Sequence, residues 1–148
     1  MFKRIHWSKR SLTIPLKAFT QPLASYKPAG LWYEVSGDWQ RWCASDWPDW
    51  FVGLQAYRIV LSRKVHLLRI ATVQALDTFH NRFVIGKEIR WRLVALCYDG
   101  IEIAPYQWSR RLEYSWYYGW DCASGCLWRP KDTLVIPLKI VPALSASR

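Results

Sequence analysis

The residues able to do chemistry fall into three clusters. His6-Trp7-Ser8 closes a short basic arm. Lys27-Pro28-Ala29-Gly30-Leu31-Trp32-Tyr33 runs from a basic turn into an aromatic stretch. The third cluster, Tyr98 to Trp128, gathers four of the 11 tryptophans and five of the 8 tyrosines around Asp99, Glu102, Asp121, Arg110 and Arg111. So much aromatic surface beside isolated charges suits a pocket or stacking platform, because a plain core uses aliphatic residues and leaves acids in water. A histidine, a hydroxyl, stacked rings and a carboxylate are what is needed to hold a dinucleotide and cleave a glycosidic bond within it. The rings would enclose a cationic nicotinamide. The carboxylate would bind a ribose hydroxyl and stabilise an oxocarbenium-like transition state.

Each cluster also has a structural reading. A single histidine near a terminus, such as His6, is ordinarily a surface or satisfied side chain. Tyr98-Asp99-Gly100 is an ordinary helix-to-strand turn. Asp121 is able to cap the turn from Cys122 to Cys126, Glu102 to be a structural acid paired with an arginine, and Arg110 and Arg111 to be solvated. The five tryptophans from Trp32 to Trp50 are able to serve simply as core. No G-x-x-x-x-G-K-[ST], G-x-G-x-x-G or H-E-x-x-H is present, which disfavours a P-loop, a Rossmann site and a zincin. Cys122 and Cys126 have no histidine beside them, and Cys43 and Cys97 stand apart. No metal site is expected.

The 148 residues suffice for one domain with a real core, expected over 1–144 with a frayed tail at 145–148. The apolar fraction is 51% and no run approaches the length needed to span a bilayer, so no membrane partner and a cytoplasmic location are expected. In that compartment the cysteines are expected as thiols. The net charge of +10 is uneven: residues 1–30 carry six basic side chains and no acid. Lys3, Arg4, Lys9 and Arg10, with Arg110 and Arg111, are the candidate contacts to a polyanion such as nucleic acid.

Elements that would position these residues follow from pattern. Residues 2–8 alternate as a first strand. Pro15, Pro22 and Pro28 make 12–29 a loop-rich connector. Gly30 to Val35 reads as a strand, and Asp38 is placed to cap a short helix carrying Trp39, Trp42 and Cys43 on one face. Tyr57–Leu61 and Val65–Ile70 read as a hairpin or two successive strands, and Thr72 as the cap of a helix through Phe83. Glu88–Cys97 reads as a helix closed by Gly100, Ile101–Ala104 as a buried strand, Trp116–Tyr118 and Cys126–Trp128 as paired strands, and Leu134–Val141 as an edge strand. The expected fold is α+β, with a mainly antiparallel split sheet and two or three short helices.

At His6-Trp7-Ser8, Gly30-Leu31-Trp32-Tyr33 and Tyr98-Asp99-Gly100-Ile101 the chain resembles ADP-ribosyltransferases of the poly(ADP-ribose) polymerase, diphtheria-toxin and RNA 2′-phosphotransferase kind. Those proteins open on an H-x-[ST] strand, follow with Gly-Leu or Gly-Ile and aromatics, and place an acid beyond a "YDGI" turn. Through KPxGLW, YDGIEIAPY and WYYxWDxASGC, the region 26–128 also resembles a group of small phage and prophage proteins.

The transferase resemblance implies NAD as substrate, an ADP-ribosyltransferase-like fold, and transfer to a nucleic acid or a nucleic-acid-associated or host protein, in a phage or defence-related effector. His6, Ser8 and Tyr98 would hold the cofactor, with Trp32 and Tyr33 packed on nicotinamide. Asp121 or Glu102 would be the catalytic acid, Asp121 being preferred because it lies in the aromatic cluster just before a strand. His6, Tyr33 and Asp121 must then converge on one cleft. The chain departs from the family at Glu34-Val35-Ser36, where a serine or alanine commonly follows the aromatic pair. The alternative is a non-enzymatic module that binds single-stranded nucleic acid or a host protein through its bases and tryptophans.

Overall fold

Alternation and β-branched residues build the strands, and the computed structural model describes residues 3–139. The strands are β1 (Arg4–Ser8), β2 (Leu31–Val35), β3 (Gln55–Val60), β4 (Leu67–Ile70), β5 (Val84–Ile85), β6 (Glu88–Ile89), β7 (Gly100–Ile103), β8 (Ser124–Leu127) and β9 (Leu134–Pro137). The α-helices are α1 (Asp38–Asp46), α2 (Val73–Phe83), α3 (Trp91–Cys97) and the single turn α4 (Ser115–Tyr118). The main sheet has seven strands in the order β4-β7-β8-β2-β1-β3-β9. Its neighbours are antiparallel apart from the parallel pair β4 and β7, and β5 with β6 forms a separate hairpin. The architecture is α+β with a mostly antiparallel sheet.

The two-residue period of the strands sorts the core onto two faces. On one, Ile101, Ile103, Cys126, Trp128 and Trp32 pack against Leu76, Phe79, Trp91 and Val94 of α2 and α3 and against Trp116, Tyr117 and Trp120. On the other, Leu31, Tyr33, Val35, Ile59 and Leu127 meet Leu12 and Leu16 of the connector and Leu61 and Val65. β1 joins β2 only at Arg4 with Val35 and Ile5 with Glu34, whereas its pairing to β3 runs on to Ser8. The sheet therefore forks between β1 and β2 beyond Ile5.

Thr72 caps α2 as expected, its hydroxyl accepting from the Ala75 amide at 3.1 Å. Several expectations are corrected. Trp116–Tyr118 is helical, because the turn buries Trp116, Tyr117 and Trp120 together, and burial outweighs the β preference of aromatics. Residues 88–97 divide at Arg90: Ile89 pairs with β5 and exchanges backbone hydrogen bonds with Ser25, so the helix begins only at Trp91. Gly100 closes no helix. It opens β7, where a Cβ would lie 2.7 Å from the Cys126 carbonyl oxygen, so close strand approach requires the glycine. β3 and β4 do not form a hairpin, since β3 lies between β1 and β9 while β4 sits at the far edge beside β7. Gly37, at φ 76°, holds the cap position before α1, and Asp38 instead accepts from the Ala123 amide at 2.6 Å. The expected end of the last strand at Val141, the domain limit at 144 and the tail 145–148 lie outside the described residues.

Candidate functional site

The fork leaves one face of β1 and β2 partly uncovered. Ile5 and Trp7 of β1, Trp32, Tyr33 and Glu34 of β2, Trp39 of α1, Lys27, and the segment carrying Gly119, Trp120, Asp121, Cys122 and Ser124 line a cleft of about 230 Å³. Strand alternation puts Ile5, Trp7, Trp32 and Glu34 on this side. Trp32 meets Trp120 edge-on, with centroids 4.9 Å apart, and the Lys27 ammonium lies 5.5 Å from the Trp32 ring centroid. Trp7 rests against Phe51 at 4.6 Å.

Two carboxylates serve the cleft differently. Glu34 is buried and accepts from Trp7 Nε1 at 3.1 Å, from the Gln40 amide nitrogen at 3.0 Å and from Gln40 Nε2 at 2.6 Å, so its acceptor capacity is largely used. Asp121 is held through Oδ1 alone, by Arg111 Nη2 at 2.9 Å, and its Oδ2 has no protein donor among the described residues. Arg111 is fixed in turn: its guanidinium lies 4.6 Å from the Tyr118 ring centroid and 5.1 Å from that of Trp42, and it donates to Tyr106 Oη at 3.0 Å. One cleft oxygen is thus oriented and left open. The indole Nε1 of Trp120, a residue 2% exposed, has no hydrogen-bond partner among the described residues. Burial pushes the Cys122 thiol up to about 12, which removes it as a nucleophile at neutral pH.

The expected convergence of His6, Tyr33 and Asp121 is met in part: Tyr33 and Asp121 line the cleft and His6 does not. The Tyr33 hydroxyl points to the other face of the sheet, where it donates to Glu102 Oε2 at 2.8 Å. Arg4 reaches the same carboxylate through Nε at 2.6 Å and Nη2 at 3.2 Å, with side-chain exposures of 10% for Arg4 and 3% for Glu102. Burial, then the Glu102 charge, holds the Tyr33 phenol well above its ordinary range. Glu102 thus sits in a buried ion pair and does not line the cleft, Arg4 is engaged with it, and Tyr33 lines the cleft while its hydroxyl is spent on Glu102.

The other assigned residues are dispersed. His6 shares the face of Arg4 but sits at the fork, its Nδ1–H donating to the Trp32 carbonyl at 2.6 Å, and burial lowers its pKa. Ser8 donates to the Arg10 carbonyl at 2.6 Å in a turn at the end of β1. Tyr98 ends α3 beside His66, with centroids 4.9 Å apart, and does not line the cleft. Arg110 is partly exposed and grips Asp77 through two bonds of 2.8 and 2.9 Å. Lys3, Lys9 and Arg10 are exposed. Trp32, Tyr33 and Asp121 are the assigned residues that line the cleft. Lys27 and Trp120 lay in the sequence clusters without an assigned role, and Glu34 and Trp39 were missed as walls; the period of two linking Glu34 to Trp32 was the available signal.

Among the described residues no group of three or more potential metal ligands forms, and no helix is long and apolar enough to cross a membrane. Comparison with protein-family models, with curated proteins and with solved structures finds no match.

Proposed function

We propose that the protein is a NAD-dependent ADP-ribosyltransferase with an ADP-ribosyltransferase-like split sheet, acting on a nucleic acid or a nucleic-acid-associated protein, with the nicotinamide site in the tryptophan cleft. One observation carries this reading: at the fork between β1 and β2, the indoles of Trp32 and Trp120 stand beside an oriented carboxylate with a free oxygen, Asp121. The strand order also supports it, because the H-x-S strand β1, the Gly-Leu-Trp-Tyr strand β2 and the strand β8 that follows Asp121 are neighbours. Indole faces favour a cationic pyridinium. Asp121 Oδ2 accepts from a ribose hydroxyl and stabilises positive charge that develops at C1′. The C1′–N bond breaks, nicotinamide leaves with the electron pair as a neutral ring, and the acceptor nucleophile bonds to C1′ while its proton passes to Asp121 and then to water. In this arrangement Trp120 takes the place first given to Tyr33, and His6 anchors the fork.

The test is to incubate the purified protein with NAD labelled in its adenylate half and with RNA, DNA or cell lysate. Label transfer with nicotinamide release is expected, reduced about 100-fold or more in Asp121→Asn. Absence of both label transfer and nicotinamide release in the wild type would refute the proposal. A second reading, a module that binds single-stranded nucleic acid without turnover, draws on the exposed indoles Trp47 (62%), Trp50 (54%) and Trp108 (59%). It expects salt-dependent quenching of tryptophan fluorescence by oligonucleotides and no response to NAD.

A further inference from the structure

Lys27 occupies the face of the cleft that a cationic ligand would use. Its ammonium lies 5.5 Å from the Trp32 ring centroid, and among the described residues it is the only lysine or arginine lining the cleft, whose other walls are mainly aromatic, acidic and small residues. It makes no ion pair with Glu34 or Asp121, although both line the same space. The backbone around it is fixed: Ser25 Oγ donates to the Lys27 carbonyl at 2.5 Å, and Gln21 clamps Ala29 through bonds of 2.6 and 3.0 Å. The side chain passes over Gly119, where a Cβ would stand 3.2 Å from Lys27 Cε, so the glycine leaves the stem its path. An exposed side chain on a clamped backbone is thus parked over an aromatic face.

We infer that Lys27 is a specificity-determining residue, and the inference rests on the nicotinamide reading of the cleft: it plugs the Trp32 face with its own cation and yields it to a ligand that brings both a cationic ring and a phosphate. The argument is one of charge exchange. A pyridinium that stacks on Trp32 must displace the ammonium, and two cations cannot share one ring face. The displaced ammonium needs a new partner, and an anion carried by the same ligand supplies it through a charge-assisted hydrogen bond. A cationic ring without phosphate only competes with Lys27. A nucleotide that carries such a ring exchanges one interaction for two.

Nicotinamide mononucleotide and nicotinamide riboside share the cationic ring and differ by the phosphate, so they are the probes. Each is titrated against the wild type and Lys27→Met, with quenching of tryptophan fluorescence as the readout and circular dichroism to check the fold. The mononucleotide is expected to bind the wild type about tenfold or more tightly than the riboside, in keeping with a hydrogen bond to a charged group. In Lys27→Met, mononucleotide binding should weaken and riboside binding stay the same or tighten. The two affinities then converge, which the loss of a merely structural lysine would not produce. Equal binding of both probes to the wild type, or an unchanged ratio in Lys27→Met, overturns the inference and leaves the nicotinamide site standing. Failure of the wild type to bind either probe overturns both.

Discussion

Glu102 and Asp121, the two acids that the sequence left in competition, separate by environment. Glu102 holds together the buried trio with Arg4 and Tyr33, so Glu102→Gln leaves the Arg4 charge without its partner and should destabilise the fold by about 3–5 kcal/mol in urea unfolding. Asp121→Asn weakens a partly buried pair with Arg111 in which the amide oxygen can still accept, and should cost clearly less than the Glu102 change while cutting nicotinamide release about 100-fold or more. A result with these effects exchanged would return the catalytic assignment to Glu102. A third acid sets an acid limit. The hydrogen bond from Arg110, then that from Tyr114, holds the Asp77 carboxyl down to about 2 from its ordinary 3.8. Because the folded value is depressed, this stabilisation is present above about 4 and is lost as pH falls toward about 2. The urea midpoint should fall through that window, and Asp77→Asn should flatten the decline. Nothing near Asp77 in the sequence announces this pair, since its partner lies 33 positions away.

At the scale of elements, the cleft exists because β1 leaves β2 after Ile5, while β8 stays close enough to β2 that Tyr33 lies flat across Gly125. A Cβ at Gly125 would overlap the Tyr33 ring. Gly125→Ala should therefore destabilise the protein by about 1–3 kcal/mol. In a Tyr33→Leu background, which removes the ring, the same change should cost clearly less, and the double-mutant cycle measured by urea unfolding gives the coupling. Additive costs would show that the ring is not what excludes a side chain. Elements written in local patterns were legible: the Thr72 cap, the alternation of β1 and β2, the buried Ile101–Ile103 strand and the prolines of the connector. Those decided by distant partners were not. Trp116–Tyr118 reads as strand until Phe79 and Trp91 are present to bury it, and nothing near residues 67–70 announces a parallel partner at Gly100–Ile103. For the same reason Trp32, Tyr33 and Asp121 were named together for one cleft, but that the Tyr33 hydroxyl runs to Glu102 was not foreseen. One position along a strand reverses the face, and only the register settles which residue points into the fork.

For the molecule as a whole, ion pairing leaves the net charge of +10 unchanged but decides which side chains carry it. Arg4, Arg41, Arg110, Arg111 and Arg129 are each engaged with a carboxylate, so a polyanion would meet chiefly lysines and the arginines outside these pairs. Lys27 is the one basic side chain among the described residues that line the cleft, whose other walls are mainly indoles, acids and small residues. Binding of NAD in the tryptophan cleft is the claim on which the rest depends, and thermal unfolding with and without NAD tests it most directly. At a hundred times the dissociation constant a ligand adds about 2.7 kcal/mol. For a domain of this size that raises the melting temperature by roughly 5–10 °C. The account predicts such a rise for the wild type and its loss in Trp32→Ala. A melting temperature unmoved by NAD at any concentration would contradict it.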